Sequence, residues 1–257
     1  MNINTSRRLG AAVFCALAAL VSTRAVAADV KVFSTIAVQG ALEAVAPKYE
    51  KQSGDTLSIT WGTAAALAKR VQSGETADVL ILTPSLLETL VKEDKAAPGV
   101  TEVASSGVAL VVKSGTRKPD ISTPAAFKQA LLNAKSIAYS DPAAGGASGV
   151  YVAKLLDRLG IAAAVKDKTK HPPAGGNAAV LVASGDAELA IQQTPEVMSA
   201  QGVDIVGILP GDLNNVTMFA AGFGKTTQQK AAAEAFIKFL KTPEAANVFK
   251  MRGLDPA

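Results

Sequence analysis

Polar clusters mark four places where an apolar run of this chain gives way to a helix-forming stretch. They are Ser34-Thr35, Thr63, Gly145-Gly146-Ala147-Ser148-Gly149 and Gln192-Gln193-Thr194. Hydroxyls and amides at such junctions sit beside the free backbone N–H groups of a helix's first turn, at the positive end of its dipole. The chemistry this offers is capture of a small anion by uncharged donors. If the junctions converge, the ligand-binding set is Ser34, Thr35, Thr63, Ser148, Gly149, Asn177 and Gln193. Ser34 and Thr35 follow the first strand, where open α/β sheets place ligands. The small residues at Ser148-Gly149 let a ligand approach helix backbone. Thr63 reads equally well as a helix N-cap, and Gln193, just past an apolar strand, equally well as a bridge between backbone groups.

Other chemistry is missing from the inventory. A single histidine, His171, excludes a multi-histidine metal centre, and a single cysteine, Cys15, excludes thiolate sites. Neither a phosphate-cradling G-x-x-x-x-G-K-[ST] nor a G-x-S-x-G nucleophile elbow occurs. The glycines at 145, 146 and 149 lack dinucleotide spacing. His171 precedes Pro172-Pro173 in a polar stretch and reads as a loop residue. Asp141, before Pro142, reads as a turn residue, and Asp78 as structural. No metal or cofactor is expected, and no catalytic base is identifiable.

The elements that must position these groups alternate. Short buried strands are expected at Val30–Phe33, Leu57–Thr60 and Val79–Leu82, with helices over Gln39–Gln52, Thr63–Gln72 and Pro84–Lys92. A strand at Val108–Val112 leads into a second β/α series with helices over Pro124–Asn133, Gly149–Leu159 and Ala178–Ser184. Further strands are expected at Ser136–Tyr139, Leu189–Ile191, Val203–Leu209 and Thr217–Gly222, before a helix over Thr226–Leu240 and another after Pro243. The class is α/β, with parallel sheets covered on both faces. Two lobes of about 100 residues each, with the ligand between them, fit this layout.

The first residues stand apart. Arg7-Arg8, the apolar run Leu9–Val21 and the small residues Ala25-Val26-Ala27 follow the order of a secretory signal, and the run is too short to span a bilayer. Cleavage after Ala27 would leave 230 of the 257 residues, without cysteine, for an oxidising compartment. Losing Arg7, Arg8 and Arg24 takes the formal charge from +4 to +1, so nucleic acid is not an expected partner. The expected divisions are 1–27 as signal peptide, 28–109 plus 211–257 as lobe one, and 110–210 as lobe two, joined by extended hinge strands.

Across this exported portion the chain resembles the molybdate-binding branch of periplasmic solute-binding proteins, a type II two-lobed fold. The resemblance is carried by VFSTIAVQGALEAVAPKYEKQSG, TAAALAKRVQSGETADVLIL, YSDPAAGGASGVYVAKLLDRLGI and AFIKFLKTPEAANVFKMRG. It implies a periplasmic monomer that captures a small anion and hands it to an ABC-type permease. The family's binding residues do not transfer. Two serines of its pattern fall on Ala37 and Ala64, and a tyrosine falls on Gln193. GGASGVYVAKLLDRLGI and AIQQTPEV are similar to a divergent branch typified by aconitate isomerase. Two functions follow from the resemblance. One is capture of a di-/tricarboxylate or oxyanion for import; the other is isomerisation of trans- and cis-aconitate by allylic proton transfer.

Overall fold

The computed structural model describes residues 27–173 and 176–257, so the proposed signal lies, apart from Ala27, outside the described residues. The first lobe opens with β1 (Asp29–Thr35), α1 (Gln39–Ser53), β2 (Thr56–Gly62), α2 (Ala64–Gln72), β3 (Val79–Leu82), α3 (Pro84–Lys92) and β4 (Ala96–Ser106). The second comprises β5 (Val108–Lys113), α4 (Pro124–Asn133), β6 (Ile137–Tyr139), α5 (Ala147–Arg158), α6 (Ala162–Val165), β7 (Thr169–Lys170), α7 (Ala178–Ser184), β8 (Leu189–Gln193), α8 (Thr194–Met198) and β9 (Val203–Ile208). The chain then returns to the first lobe for β10 (Thr217–Gly224), α9 (Lys230–Leu240), α10 (Pro243–Met251) and β11 (Asp255–Pro256).

Two sheets result, ordered β11-β4-β10-β3-β1-β2 and β7-β6-β8-β5-β9. Each is sealed on both faces because its strands alternate between two cores. In β3, Val79 and Ile81 join the cluster under α1, α9 and α10, whereas Leu80 and Leu82 join that under α2 and α3. In β5, Val108, Leu110 and Val112 face α4 and α5 while Ala109 and Val111 face α7.

The sheets are mixed, which corrects the expectation of parallel ones. Strands β1, β2 and β3 run parallel, as do β6, β7 and β8, but β10 is antiparallel to both β3 and β4, and β5 to both β8 and β9. The reason is connectivity. The chain leaves the first sheet through β4 and comes back through β10, and those two strands pair with each other, Thr217 opposite Ser106. Sequence reading misses β4 because Pro98-Gly99 interrupts it. The helix expected from Thr226 starts only at Lys230, since the Thr227 hydroxyl bonds Asp78 and accepts the N–H of Gln229 at 3.1 Å.

Between the lobes lie a single residue, Gly107, on the outward crossing and residues 209–216 on the return. The β2-β1-β3 order places a topological switch beside the carboxyl end of β1, where such sheets leave a crevice. The carboxyl ends of β6 and β8 supply the opposite wall.

Candidate functional site

A small cavity of about 30 Å³ lies in that crevice. Thr35 and Ala37 line it from the end of β1, Thr63 and Ala64 from the start of α2, and Thr83 from the residue before α3. Ser140, Gly146, Ala147 and Ser148 approach from the β6–α5 connection, and Gln193 and Glu196 from the β8–α8 junction. The starts of α2 and α5 and the residue that precedes α3 therefore border one place. No described Lys, Arg or His lines the cavity; its ionisable residues are Asp141 and Glu196.

Two hydroxyls are poised for a ligand. Thr35 is 4% exposed and Ser148 3%, and neither side chain has a hydrogen-bond partner among the described residues. Every described side-chain oxygen or nitrogen fully shut off from solvent does have one. The two hydroxyls consequently open onto the cavity they line, one from each lobe.

Thr63 plays the cap and something more. Its Oγ1 accepts the N–H of Ala66 at 3.2 Å, closing the first turn of α2, and donates to the carbonyl of Ala144 in the other lobe at 2.8 Å. Beside this inter-lobe bond, Gly145 holds a left-handed φ of +72°, and a Cβ placed there would come within 2.7 Å of the Ala65 Cβ. The lobes meet here in a closed arrangement.

Gln193 lines the cavity, yet its amide serves the hinge. Oriented so that both ends are satisfied, its nitrogen donates to the Ser106 carbonyl at 3.1 Å and to that of Gly107 at 3.1 Å, while its oxygen accepts from the Thr217 hydroxyl at 2.8 Å. One buried amide thus clasps the outward and return crossings together. Of the two roles open to it from sequence, the bridge is the one its side chain fulfils.

Three expected residues lie outside the cavity. Ser34 is fully buried with its hydroxyl 3.4 Å from the Thr35 carbonyl, because alternation along β1 sends it to the side of Val30 and Val32. Gly149 sits in the first turn of α5, where a Cβ would stand 2.4 Å from the Ser140 carbonyl oxygen; its lack of a side chain admits the end of β6, not a ligand. Asn177 caps α7 by accepting the Ala179 N–H at 2.9 Å, and its amide donates to the Glu196 carbonyl and the Ser199 hydroxyl. It borders an adjoining cleft shared with Ile36, Glu43 and Glu196.

Sequence reading missed Thr83, Ser140 and Glu196. Glu196 stands three residues after the N-cap Gln193, the spacing of a capping box, and that signal was available; nothing in the sequence placed it on a cavity. Burial pushes its carboxyl up to about 7, against the partial pull of the Gln192 amide, 2.8 Å away, and the backbone N–H of Gln193. Asp141 behaves as the expected turn residue, accepting the N–H of Ala143 at 2.9 Å. His171 is exposed, its Nδ1 2.8 Å from the Tyr139 carbonyl, in a separate groove with Asp157 and Lys166. No group of three or more potential metal ligands occurs among the described residues.

The chain can now be set beside known proteins. Over 232 residues it is 35% identical to an aconitate isomerase of Pseudomonas sp., covering 88% of this chain and 87% of that one. It is 26% identical to the molybdate-binding protein ModA of Escherichia coli, covering 87% and 88%. Among solved structures, the periplasmic molybdate-binding protein of Azotobacter vinelandii superposes with a TM-score of 0.71 at 23% identity, over 88% of this chain and 98% of that one. The sulfate-binding protein SubI of Mycobacterium tuberculosis gives 0.71 at 18%, over 90% and 87%. Residues 30–255 match the family described as bacterial extracellular solute-binding protein, and to that family, in its two-lobed ModA-like form, this chain belongs.

Proposed function

We propose that the chain captures a small di- or tricarboxylate in the crevice between its lobes. The observation that carries this is the pair of unpartnered hydroxyls of the buried residues Thr35 and Ser148, which open onto one cavity from opposite lobes beside the starts of α2 and α5. Ala37 and Ala64 present methyl groups on the same wall, so the donor set differs from one rich in serine. The ligand draws the two lobes together, because its contacts from both are completed only on closure. Lobe one is taken as 28–109 plus 211–257 and lobe two as 110–210. Residues 1–27 are proposed as a signal peptide that delivers a monomer to the periplasm, where an ABC-type permease is the proposed recipient of the ligand. Thr35, Thr63, Ser148 and Gln193 remain proposed as ligand neighbours, with Thr63 and Gln193 acting through closure.

A second reading, aconitate isomerisation, is supported by one feature of the cavity wall. Moving an allylic proton needs a group that holds and releases a proton near neutral pH. Glu196, with its carboxyl raised to about 7, is such a group. Calorimetry with trans-aconitate, cis-aconitate, citrate, molybdate and sulfate tests capture, and proton NMR in heavy water tests turnover. Carboxylate binding without deuterium incorporation supports the receptor. Conversion with incorporation supports the isomerase, and tight molybdate binding would overturn the carboxylate reading.

A further inference from the structure

Glu196 occupies the wall between the central cavity and the adjoining cleft and borders both. Its carboxyl accepts a hydrogen bond from the Gln192 amide at 2.8 Å, and the backbone N–H of Gln193 adds a weaker pull on it. Gln192 is itself fixed, its Oε1 accepting the Ala178 N–H at 2.6 Å. The other ionisable residues that line the two spaces are acids: Asp141 on the cavity and Glu43 of α1 on the cleft. Of the cations on the other described elements near α8, Arg252 stands beside Gly253, which packs on Thr194 and Met198, and Lys48 of α1 is paired with Glu244; neither lines the cavity or the cleft. The turn at Ile36–Val38, α7 and β8 carry no ionisable residue. Lys113 of β5 and Asp204 of β9 sit at the far ends of their strands, Asp204 bound to Ser114 and Gly115.

We infer that anion capture in this cavity is coupled to the uptake of a proton by the Glu196 carboxyl. The inference rests on the anion-capturing reading and follows from charge. A ligand carboxylate placed among neutral donors brings negative charge into a space already bordered by Glu196. A like charge nearby favours the neutral acid. The protonated acid ceases to repel the ligand and can donate its O–H to a ligand oxygen. No covalent bond changes; the proton comes from solvent and leaves with the ligand. Burial, offset in part by hydrogen bonding, already raises the free carboxyl to about 7, so the uptake falls within the working pH range. A Glu196 that only capped α8 would bind the same number of protons with ligand as without.

Isothermal titration of trans-aconitate and citrate into the full chain at pH 8, in buffers of differing ionisation enthalpy, reads the uptake directly. An uptake approaching one proton is expected, with Kd rising about tenfold per pH unit between pH 8 and 9. Glu196→Gln keeps the amide oxygen a capping box needs and should abolish both effects. Binding with no proton uptake by the parent overturns the inference while leaving the capture reading intact. If trans-aconitate, citrate, molybdate and sulfate all fail to bind, both fall. A ¹³C titration of the Glu196 carboxyl in the parent, with and without citrate, decides the matter independently of any variant: an unshifted midpoint also overturns the inference.

Discussion

The hydroxyls of Thr35 and Ser148 differ from those of Thr63 and Ser34 in having no protein partner, and that difference sets what each should do when removed. A hydrogen bond to a charged ligand contributes roughly 1.5–3 kcal/mol, or about 10- to 150-fold in affinity. Thr35→Val and Ser148→Ala should therefore weaken carboxylate binding by that factor and leave the ligand-free melting temperature nearly unchanged. Ser34→Ala should do neither, and a large affinity loss there would show the cavity wall to be misassigned. Glu196 gives a prediction about stability. Its unfolded value lies near the ordinary ~4.3, and its folded value is raised to about 7, so the native state keeps the proton longer. Both states are protonated below pH ~4; stability falls as pH rises from there to 7, and the full penalty of about 4 kcal/mol stands above it. Glu196→Gln should unfold at higher urea than the parent at pH 8 and at the same urea at pH 4. At this scale the sequence was half legible. Hydroxyls at junctions could be named, but which way Ser34 and Thr35 point depends on which core each face of β1 meets. The burial that raises Glu196 depends on α1, α7 and the end of β1 packing around it.

Elements were more legible than side chains, because apolar periodicity and capping residues act locally. The helix Pro84–Lys92 and the strand Val79–Leu82 coincide with their expected bounds, the former through Pro84 in its first turn, the latter through four consecutive buried residues. What escaped was long-range pairing. β4 is half exposed, broken by Pro98-Gly99, and exists because β10 pairs with it across two register shifts. The close approach of α5 to β6 likewise depends on Gly149, and the sequence could not say whether that glycine served a ligand or a strand end. Gly149→Ala drives a methyl into the Ser140 carbonyl, which is backbone and cannot move aside. The expected result is a displaced α5 N-terminus and loss of the Ser148 contribution, with affinity falling at least as far as in Ser148→Ala and with lower stability. Amide hydrogen exchange should show faster opening confined to the start of α5 and the end of β6. Unchanged exchange there would mean the helix does not depend on that contact.

For the whole molecule, the proposed capture turns on closure of the two lobes about the short crossings that join them. Gln193 ties Ser106-Gly107 to Thr217, and the Oδ1 of Asn214 accepts the N–H of Val108 at 3.1 Å, so the two crossings are bound to each other. Across the crevice the lobes also meet at the Thr63 bond to Ala144 and at the contact of Gly145 with Ala65. A ligand with contacts in both lobes favours the closed form by its differential affinity for it. Gly145→Ala should therefore hold the crevice ajar. The added Cβ would lie 2.7 Å from the Ala65 Cβ, at a φ of +72° that alanine adopts only with strain. Each lobe has its own core, so the variant should stay folded while its ligand affinity falls. Small-angle scattering should show a larger radius of gyration than the parent at saturating citrate, and pairing the change with Ala65→Gly, which removes the opposing methyl, should recover part of the affinity. If Gly145→Ala closes and binds like the parent, the Thr63–Gly145 contact is not what meets when the crevice shuts, and the closing surfaces must be sought elsewhere along the cleft.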